Sequence, residues 1–257
     1  MFTQSQKRSL GLILLIFFCF HLQAGDIVRL MSYNVRNAMG MDDVRNCQRI
    51  ANVINNTHPD VVAIQELDSV TARSGQINVL KEIAERTQME YQFAPAIDYD
   101  GGKYGIGLLS KVKPLRVKRL SLPGREERRA LLIAEFDNYL FGCTHLSLTE
   151  EDRINSLKIL RAEGKATGKT FFLAGDFNDE PNSKFIGELK KDFQILSTTN
   201  QPTWPADKPT DMLDYIITAK QEKPSYAIQS ARVIDEPIAS DHRPIIVDIA
   251  FATPEGR

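Results

Sequence analysis

The sequence predicts an α/β protein in which two β-sheets pack against each other with helices on the outside. Apolar, strand-like runs outnumber helical ones along the 257-residue chain. They occur both beside helices, as in βαβ units, and as hairpin-like pairs. A hydrophobic content of 42% with 25% charged residues is typical of a globular protein, and repeats or low-complexity tracts are absent from the sequence. We therefore expect one domain with a sizeable core.

Nine segments are predicted as strands because they are short apolar runs, either alternating or continuous. In chain order they are residues 27–33, 60–65, 104–110, 114–120, 130–136, 139–144, 170–175, 212–218 and 245–251. The continuous runs at 60–65 and 170–175 are typical of strands that are buried on both faces.

Three segments are predicted as helices because their apolar residues recur at helical spacing. The first covers residues 42–55 and ends before Pro59, the second covers 76–87, and the third covers 150–165. Thr149 precedes the third segment and is a suitable N-cap.

The first 24 residues are expected to be a secretory signal peptide rather than part of the domain. Two basic residues precede an uncharged apolar run over 10–20, and Ala24 is a small residue suited to cleavage. The run is shorter than the roughly 20 residues of a membrane span, which disfavours an anchor. Cys19 invites a lipoprotein interpretation, which the bulky Phe18 before it disfavours. We predict an exported bacterial protein, periplasmic or extracellular, whose domain covers residues 25–257.

The charge balance and the cysteines narrow the class of protein further. The formal net charge is −1, and removal of the leader with Lys7 and Arg8 makes it −3. Such a chain has no general electrostatic attraction for nucleic acid. Cys47 and Cys143 remain after cleavage, and although one disulfide is conceivable in an exported protein, we expect two buried free thiols.

Polar side chains recur where four of the predicted strands end. Asn34, Glu66, His145 and Asp176 each follow an apolar run, and Asn178 lies two residues past Asp176. Polar groups at strand ends converge at one rim of a packed sheet, where ligands usually bind. Because polar groups among Val, Ile and Leu are costly unless they are satisfied, this recurrence indicates a functional site.

Three further residues belong to the same pattern. Asp214 lies in the predicted strand 212–218, and Asp241 and His242 come just before the last strand. Carboxylates, an amide and histidines delivered in this way can hold a hard divalent cation and activate a water. Phosphoester hydrolases use groups of this kind.

These residues together resemble the endonuclease/exonuclease/phosphatase superfamily of DNase I-like enzymes. The resemblance runs from about Val28 to Ile249, with the motifs in the family order. The motifs are Asn34, Gln65-Glu66, Thr144-His145, Gly175-Asp176-Phe177-Asn178, Leu213-Asp214-Tyr215 and Ser240-Asp241-His242-Arg243-Pro244. The resemblance implies a four-layer α/β sandwich of two packed mixed β-sheets flanked by helices.

The resemblance also implies a metal site. Glu66 corresponds to the principal ligand, and Asn34 and Asp241 complete or orient the site, partly through water. A carboxylate of this kind suits Mg²⁺, for which Mn²⁺ could substitute.

The same resemblance assigns catalytic roles. Asp176 would orient and deprotonate the attacking water, and Asn178 would hold that water or a phosphoryl oxygen. His242, paired with Asp214, and His145 would stabilise charge on the phosphoryl oxygens.

Other assignments are weaker. Tyr104 and Arg129 are candidate substrate contacts, although a solvated basic edge at Arg128 and Arg129 is an equal alternative. Some family members pair the first histidine with an acidic residue. The sequence does not identify that partner, for which Asp98 and Asp100 are the candidates.

The family leaves the substrate open. We expect a phosphoesterase acting on phosphate mono- or diesters of a small phosphorylated compound or lipid headgroup, in a monomer without a stable protein partner. A scavenging nuclease acting on DNA or RNA is the alternative, motivated by a basic cluster over 111–119. A non-catalytic binding module that keeps the fold is a third reading, which the complete set of chemical residues disfavours.

Overall fold

The computed structural model describes residues 27–166 and 168–252. The predicted signal peptide and Cys19 lie outside the described residues. Among the residues described, no helix is both long and apolar enough to cross a membrane.

Two six-stranded mixed sheets form the centre of the molecule. The first sheet has the strand order β11-β12-β1-β2-β4-β3, and the second has the order β5-β6-β7-β8-β10-β9. The twelve strands are β1 Ile27–Asn34, β2 Val61–Ser69, β3 Glu90–Tyr99, β4 Gly102–Ser110, β5 Arg116–Leu122, β6 Arg129–Glu135, β7 Tyr139–His145, β8 Thr170–Asp176, β9 Phe193–Ile195, β10 Asp214–Ala219, β11 Tyr226–Val233 and β12 Ile245–Phe251.

Each sheet has one parallel pair of strands at its centre, and the remaining pairs are antiparallel. β1 pairs with β2 and β7 with β8. A crossover helix joins each parallel pair, since α1 (Cys47–Thr57) lies between β1 and β2, and α3 (Glu150–Lys165) lies between β7 and β8. The polar residues predicted to form the site lie at the carboxyl ends of both central pairs.

Three apolar clusters fill the interfaces between four layers. The central cluster joins the facing sides of the two sheets, with Leu30 and Val247 from the first and Phe141 and Phe172 from the second. The second cluster packs α1 and α2 (Val79–Thr87) against the first sheet, and the third packs α3 and α4 (Lys184–Leu189) against the second. The predicted four-layer sandwich is confirmed.

Capping residues set the helix starts later than the apolar spacing predicted. Asn46 accepts a hydrogen bond from the Arg49 amide, so α1 begins at Cys47 rather than at residue 42. Asn78 caps α2 in the same way, which moves its start from residue 76 to Val79. Thr149 occupies the N-cap position of α3 as predicted, but its side chain makes no capping hydrogen bond.

Among the strands and α-helices of the described residues, four were not predicted from the sequence: β3, β9, β11 and α4. The segment from Asp98 to Lys103 closes the β3–β4 hairpin. Asp100 and Gly101 have φ angles of 47° and 80°, and Tyr99 pairs directly with Gly102. Two consecutive left-handed residues match the twist of the flanking strands, so the turn is tight.

Cys47 and Cys143 are both buried and free, which confirms the expectation of two separate thiols. Cys143 lies at the contact between the sheets. Its sulfur accepts a hydrogen bond from Gln65 Nε2 at 3.4 Å and donates one to the Ile64 carbonyl at 3.4 Å.

Candidate active site

The structure brings the predicted site residues together at one edge of the sandwich. The end of β1 pairs with β2 through Asn34 and Gln65, and the end of β7 pairs with β8 through His145 and Asp176. In the second sheet Asp214, which opens β10, is the register partner of Asp176. Glu66, Asp241 and His242 reach the same edge, as their contacts show.

Asp176 is the centre of the site. Its Oδ2 accepts a hydrogen bond from Asn34 Nδ2 at 3.1 Å. The same oxygen lies 3.6 Å from His145 Nε2 and 3.7 Å from His242 Nε2. Its Oδ1 accepts the backbone N–H of Asn178 at 2.9 Å. One fully buried carboxylate thus joins both sheets and both histidines.

Glu66 owes its position to an irregularity in β2. The register of β2 against β4 shifts between Ile64 and Leu67, and Glu66 has a φ of 59°. A left-handed glutamate is uncommon and costs free energy, which is typical of functional sites. The bulge lets β2 continue to Ser69, beyond the predicted end at 65, while Glu66 turns toward the site.

The surroundings of Glu66 disfavour its ionised form, which a bound cation would stabilise. Burial raises the pKa of Glu66; the hydrogen bond from Asn34 opposes this rise, and the negative charges of Asp241 and Asp176 add to it. A buried glutamate whose ionisation two neighbouring carboxylates disfavour is a suitable ligand for a hard divalent ion. The residues present therefore fit Mg²⁺.

Asn34 orients this donor set. Its Nδ2 donates to Glu66 Oε1 at 2.9 Å as well as to Asp176, and its Oδ1 accepts from the Arg36 amide at 3.1 Å. Both ends of the amide are thus engaged within the protein. Asp241 is more open, with its side chain 26% exposed and its Oδ2 3.9 Å from Arg36 Nε.

A different group, formed by Asp176, Asp214 and His242, has ligand atoms that all lie within 4.8 Å of one another. It is a poorer metal site, because Asp214 Oδ2 already binds His242 Nδ1 at 2.9 Å and Thr203 Oγ1 at 2.6 Å. These contacts make it a histidine–aspartate pair, in which Asp214 Oδ1 is buried without a hydrogen-bond partner.

The two histidines differ in charge at neutral pH. Burial would lower the pKa of His242, but the charges of Asp214 and Asp176 outweigh it and raise the pKa to about 10. Burial lowers the pKa of His145 to about 4; the Asp176 charge opposes this and the Arg129 charge adds to it. His242 is therefore an imidazolium and His145 a neutral imidazole.

Neither candidate for the acidic partner of His145 is the partner. Asp98 forms an ion pair with Lys103, and Asp100 Oδ2 accepts the backbone N–H of Arg73 at 2.6 Å. Both aspartates serve the β3–β4 hairpin and its neighbouring loop. The carboxylate beside His145 is Asp176 itself.

Asn178 is held by the loop that follows His145. It has a φ of 51°, and its Nδ2 donates to the Leu146 carbonyl at 2.9 Å. Leu146 in turn donates its N–H to the Asp176 carbonyl at 2.9 Å. One amide hydrogen of Asn178 is thus used in the protein, which fixes the direction of the rest of the side chain.

Tyr104 and Arg129 line a small recess beside His145, together with Glu127. Arg129 is 6% exposed, and its terminal nitrogens lie 3.2 Å from Glu126 and 3.5 Å from Glu127. Its Nε makes no hydrogen bond. The structure places both predicted substrate contacts near the site, but the arginine charge is already balanced by two glutamates.

Two polar residues to which the sequence assigned no role support the site, namely Thr203 and Ser240, the first residue of the last motif. Thr203 donates to Asp214, as described above, and Ser240 Oγ donates to the Asn34 carbonyl at 2.8 Å. Both hydroxyls are fully buried.

Comparison with known proteins agrees with this geometry. A model of the endonuclease/exonuclease/phosphatase family matches residues 31–242. Among curated protein sequences, none matches the chain.

Solved structures with this architecture are numerous. A Bacteroides thetaiotaomicron protein described as an endonuclease/exonuclease/phosphatase family protein is 18% identical, with a TM-score of 0.72 over 88% of this chain and 95% of that one. The mannosyl-6-phosphatase Bt3783 of the same organism is 17% identical, with a TM-score of 0.69 over 87% and 100%. The human Nocturnin catalytic domain is 18% identical, with a TM-score of 0.67 over 89% and 98%. Likenesses at these identities establish the fold.

Proposed function

The chain belongs to the endonuclease/exonuclease/phosphatase family and is a phosphoric ester hydrolase, and we propose that it acts with Mg²⁺ on a small phosphorylated compound or lipid headgroup. The observation that carries the proposal is the set of contacts around Asp176 Oδ2. One carboxylate oxygen faces an imidazolium, a neutral imidazole and the amide that also holds Glu66.

The proposed metal site consists of Glu66, with Asp241 beside it and Asn34 as the orienting amide. When bound, Mg²⁺ supplies a Lewis acid that draws charge from the phosphoryl oxygens. Asn34 keeps Glu66 and Asp176 at a fixed separation, because one Nδ2 donates to both carboxylates.

Asp176 is the proposed base. Its Oδ1 is fixed by the Asn178 amide, and Asn34 and the two histidines surround its Oδ2. An aspartate held in this way can accept a proton from the attacking water at Oδ2. Asn178 then orients that water or a phosphoryl oxygen.

The histidines complete the site with different donors. His242 presents a positive charge to the developing negative charge on phosphorus-bound oxygens, and Asp214 keeps it protonated. His145 offers a neutral N–H donor to a second oxygen. Because the donors are built into the fold, they cost no reorganisation during the reaction.

Two features support a small substrate. The recess beside His145, lined by Tyr104, Glu127 and Arg129, has room for little more than a water molecule, so it admits at most one small polar group of a substrate. One of the similar structures is named as a mannosyl-6-phosphatase.

The basic cluster that motivated a nuclease is engaged elsewhere. Lys111 binds Asp60, Lys118 binds Glu163, and Arg119 donates to the Phe93 carbonyl. These residues lie at the start of β5 and just before it, whereas the site lies at the opposite end of the sheets. They therefore offer no continuous cationic path to the active site for a nucleic-acid backbone.

The test is hydrolysis by residues 25–257 with Mg²⁺ across a panel of phosphate esters. The panel holds mannose 6-phosphate, inositol polyphosphates, sphingomyelin, plasmid DNA, an RNA oligomer and bis-p-nitrophenyl phosphate. We expect turnover of one small or lipid class and its loss on chelation. Substitution of His242→Ala should lower kcat at least ~10²-fold, and Glu66→Gln should raise the Mg²⁺ concentration needed for half-maximal rate.

The matched histidine control is His58→Asn, an exposed position at the end of α1 where a left-handed residue is required. It should leave turnover unchanged. Cleavage of DNA or RNA alone would overturn the substrate class. Activity that survives chelation or His242→Ala would overturn the mechanism.

A further inference from the structure

A buried arginine on α3 contacts both loops that carry the active site. Arg153 lies in the first turn of the helix and is 6% exposed. Its Nη1 donates to the Ser147 carbonyl at 2.9 Å, and its Nη2 lies 3.0 Å from Asp179 Oδ2. Ser147 is two residues past His145, and Asp179 directly follows Asn178.

The two loops are already joined closer to the site. The Leu146 amide donates to the Asp176 carbonyl, and Asn178 Nδ2 donates to the Leu146 carbonyl, each at 2.9 Å. These bonds continue the β7–β8 pairing past the ends of the strands. Arg153 adds the outermost connection and ties both loops to α3.

Stability alone does not account for a charged pair at this place. Burying an ion pair costs desolvation free energy that an apolar residue avoids. Arg153 Nε and Asp179 Oδ2 make no directed hydrogen bond, so the pair is incompletely satisfied. The guanidinium also lies 5.8 Å from the Phe185 ring, where a methionine would pack as well.

We propose that Arg153 is a positioning residue that fixes the loop after His145 against the loop after Asp176. In this arrangement His145, Asp176 and Asn178 are presented together to the substrate phosphate. The inference rests on the proposed phosphoesterase function. Arg153 acts through Ser147 and Asp179 and does not touch the reacting atoms.

The test compares Arg153→Met, Arg153→Lys and Asp179→Asn with the unchanged protein, using the best substrate of the panel. We expect Arg153→Met to lower kcat ~10- to 100-fold, since misplacement of about 1 Å can cost 10²-fold. KM should stay within about threefold, because binding of the ground state is not what is lost. Lysine has one nitrogen and cannot make both contacts, so it should restore kcat only in part.

A double-mutant cycle separates positioning from general damage. If Arg153 and Asp179 act as one unit, the variant carrying both Arg153→Met and Asp179→Asn should be no slower than the slower single variant. Thermal unfolding of each variant, with assays well below its Tm, ensures that folded protein is compared.

Arg161 is the matched control on the same helix. It makes the same kind of bridge, with Nε 2.6 Å from Asp192 Oδ2 and Nη2 3.2 Å from the Glu188 carbonyl, but away from the site. Arg161→Met should lower Tm without changing kcat. If Arg153→Met and Asp179→Asn both retain full kcat, or if their losses simply add, the proposal is wrong. Were Arg153→Met not to fold, Arg153→Lys and Asp179→Asn would decide the question alone. An unchanged protein that hydrolyses no phosphate ester would instead refute the proposed function.

Discussion

Similar side chains in this site have different charge states because their surroundings differ. His145 and His242 both face Asp176 Oδ2 at nearly equal distances. Only His242 has a second carboxylate, Asp214, on its other ring nitrogen. That one contact decides which imidazole keeps its proton at neutral pH.

Asp214→Asn should shift the pH profile of the enzyme. With Asp214 present, His242 keeps its proton until the pH rises through its pKa of about 10. Without that charge, burial favours neutral imidazole and the proton is lost at a much lower pH. The alkaline limb of kcat should therefore move toward lower pH, with a loss of ~10²-fold or more at pH 8.

The measurement is kcat from pH 5 to pH 10.5, with NMR titration of the His242 ring. Asp235→Asn is the matched control. This exposed carboxylate lies with its Oδ1 2.8 Å from Nη1 of Arg243, the residue that follows His242. It removes the same charge nearby and should leave the limb in place. An unshifted limb in Asp214→Asn would show that His242 does not act as the imidazolium.

The strands that carry these side chains pack with their backbones very close together. Gly175 pairs with Thr144 between β7 and β8, one position before the pair His145 and Asp176. A Cβ at Gly175 would lie 2.0 Å from the Thr144 carbonyl oxygen. The backbone at this position has no room for a side chain.

Gly175→Ala should therefore cost both stability and rate. Forcing the strands apart at this pair should destabilise the fold by ~1–3 kcal/mol. It should also move His145 away from Asp176 and lower kcat ~10-fold or more. Thermal unfolding and kcat at 20 °C measure the two effects separately.

Gly187→Ala supplies the comparison at the element scale. Gly187 lies in α4, and a Cβ there meets nothing within 4 Å. Alanine should leave kcat unchanged and keep or raise Tm, because glycine inside a helix costs ~0.5–1 kcal/mol relative to alanine. Equal behaviour of the two variants would contradict the argument from close approach.

The sequence allowed prediction of elements whose signal is local. The apolar runs that end at Asn34, His145 and Asp176 stop where β1, β7 and β8 stop. β3 and β11 were missed because both are largely exposed edge strands, with weak alternation and, in β3, a proline. Their pairing depends on neighbours distant in the chain, which no local pattern records.

In the candidate site, too, some features could be predicted from the sequence and others could not. Residues at strand ends were predictable, because the carboxyl ends of parallel strands meet at one edge. The bulge at Glu66 and the bridge made by Arg153 were not, since each depends on how two separate segments lie in three dimensions. Short polar patterns indicate which groups take part, whereas the fold determines what each one contacts.

The whole molecule repeats one arrangement in its two sheets. In each, the parallel pair occupies the third and fourth places in the strand order, and a helix crosses behind it. Packing the sheets face to face brings both pairs of carboxyl ends to one edge. The hydrogen bond from Asn34 to Asp176 joins the two halves there, so the site exists only when both sheets are in place.

The charge of the whole molecule leads to a prediction about salt. The chain carries 32 basic and 33 acidic residues, and the basic cluster before and within β5 is bound to its own carboxylates and carbonyls. A substrate that needs many phosphate contacts would find no excess of positive charge on such a chain. For a small ester we expect kcat/KM to change less than about threefold between 50 and 200 mM NaCl at saturating Mg²⁺, since few counterions are released.

A nucleic-acid substrate would behave differently under the same conditions. Binding through 6–10 phosphates would lose roughly 10³- to 10⁵-fold in affinity over that range. The measurement is kcat/KM against salt for the best small ester and for an RNA oligomer, with the Lys118→Gln variant as a check on the β5 cluster. A steep slope that Lys118→Gln reduces would identify the cluster as a phosphate-binding surface and overturn the preference for a small substrate.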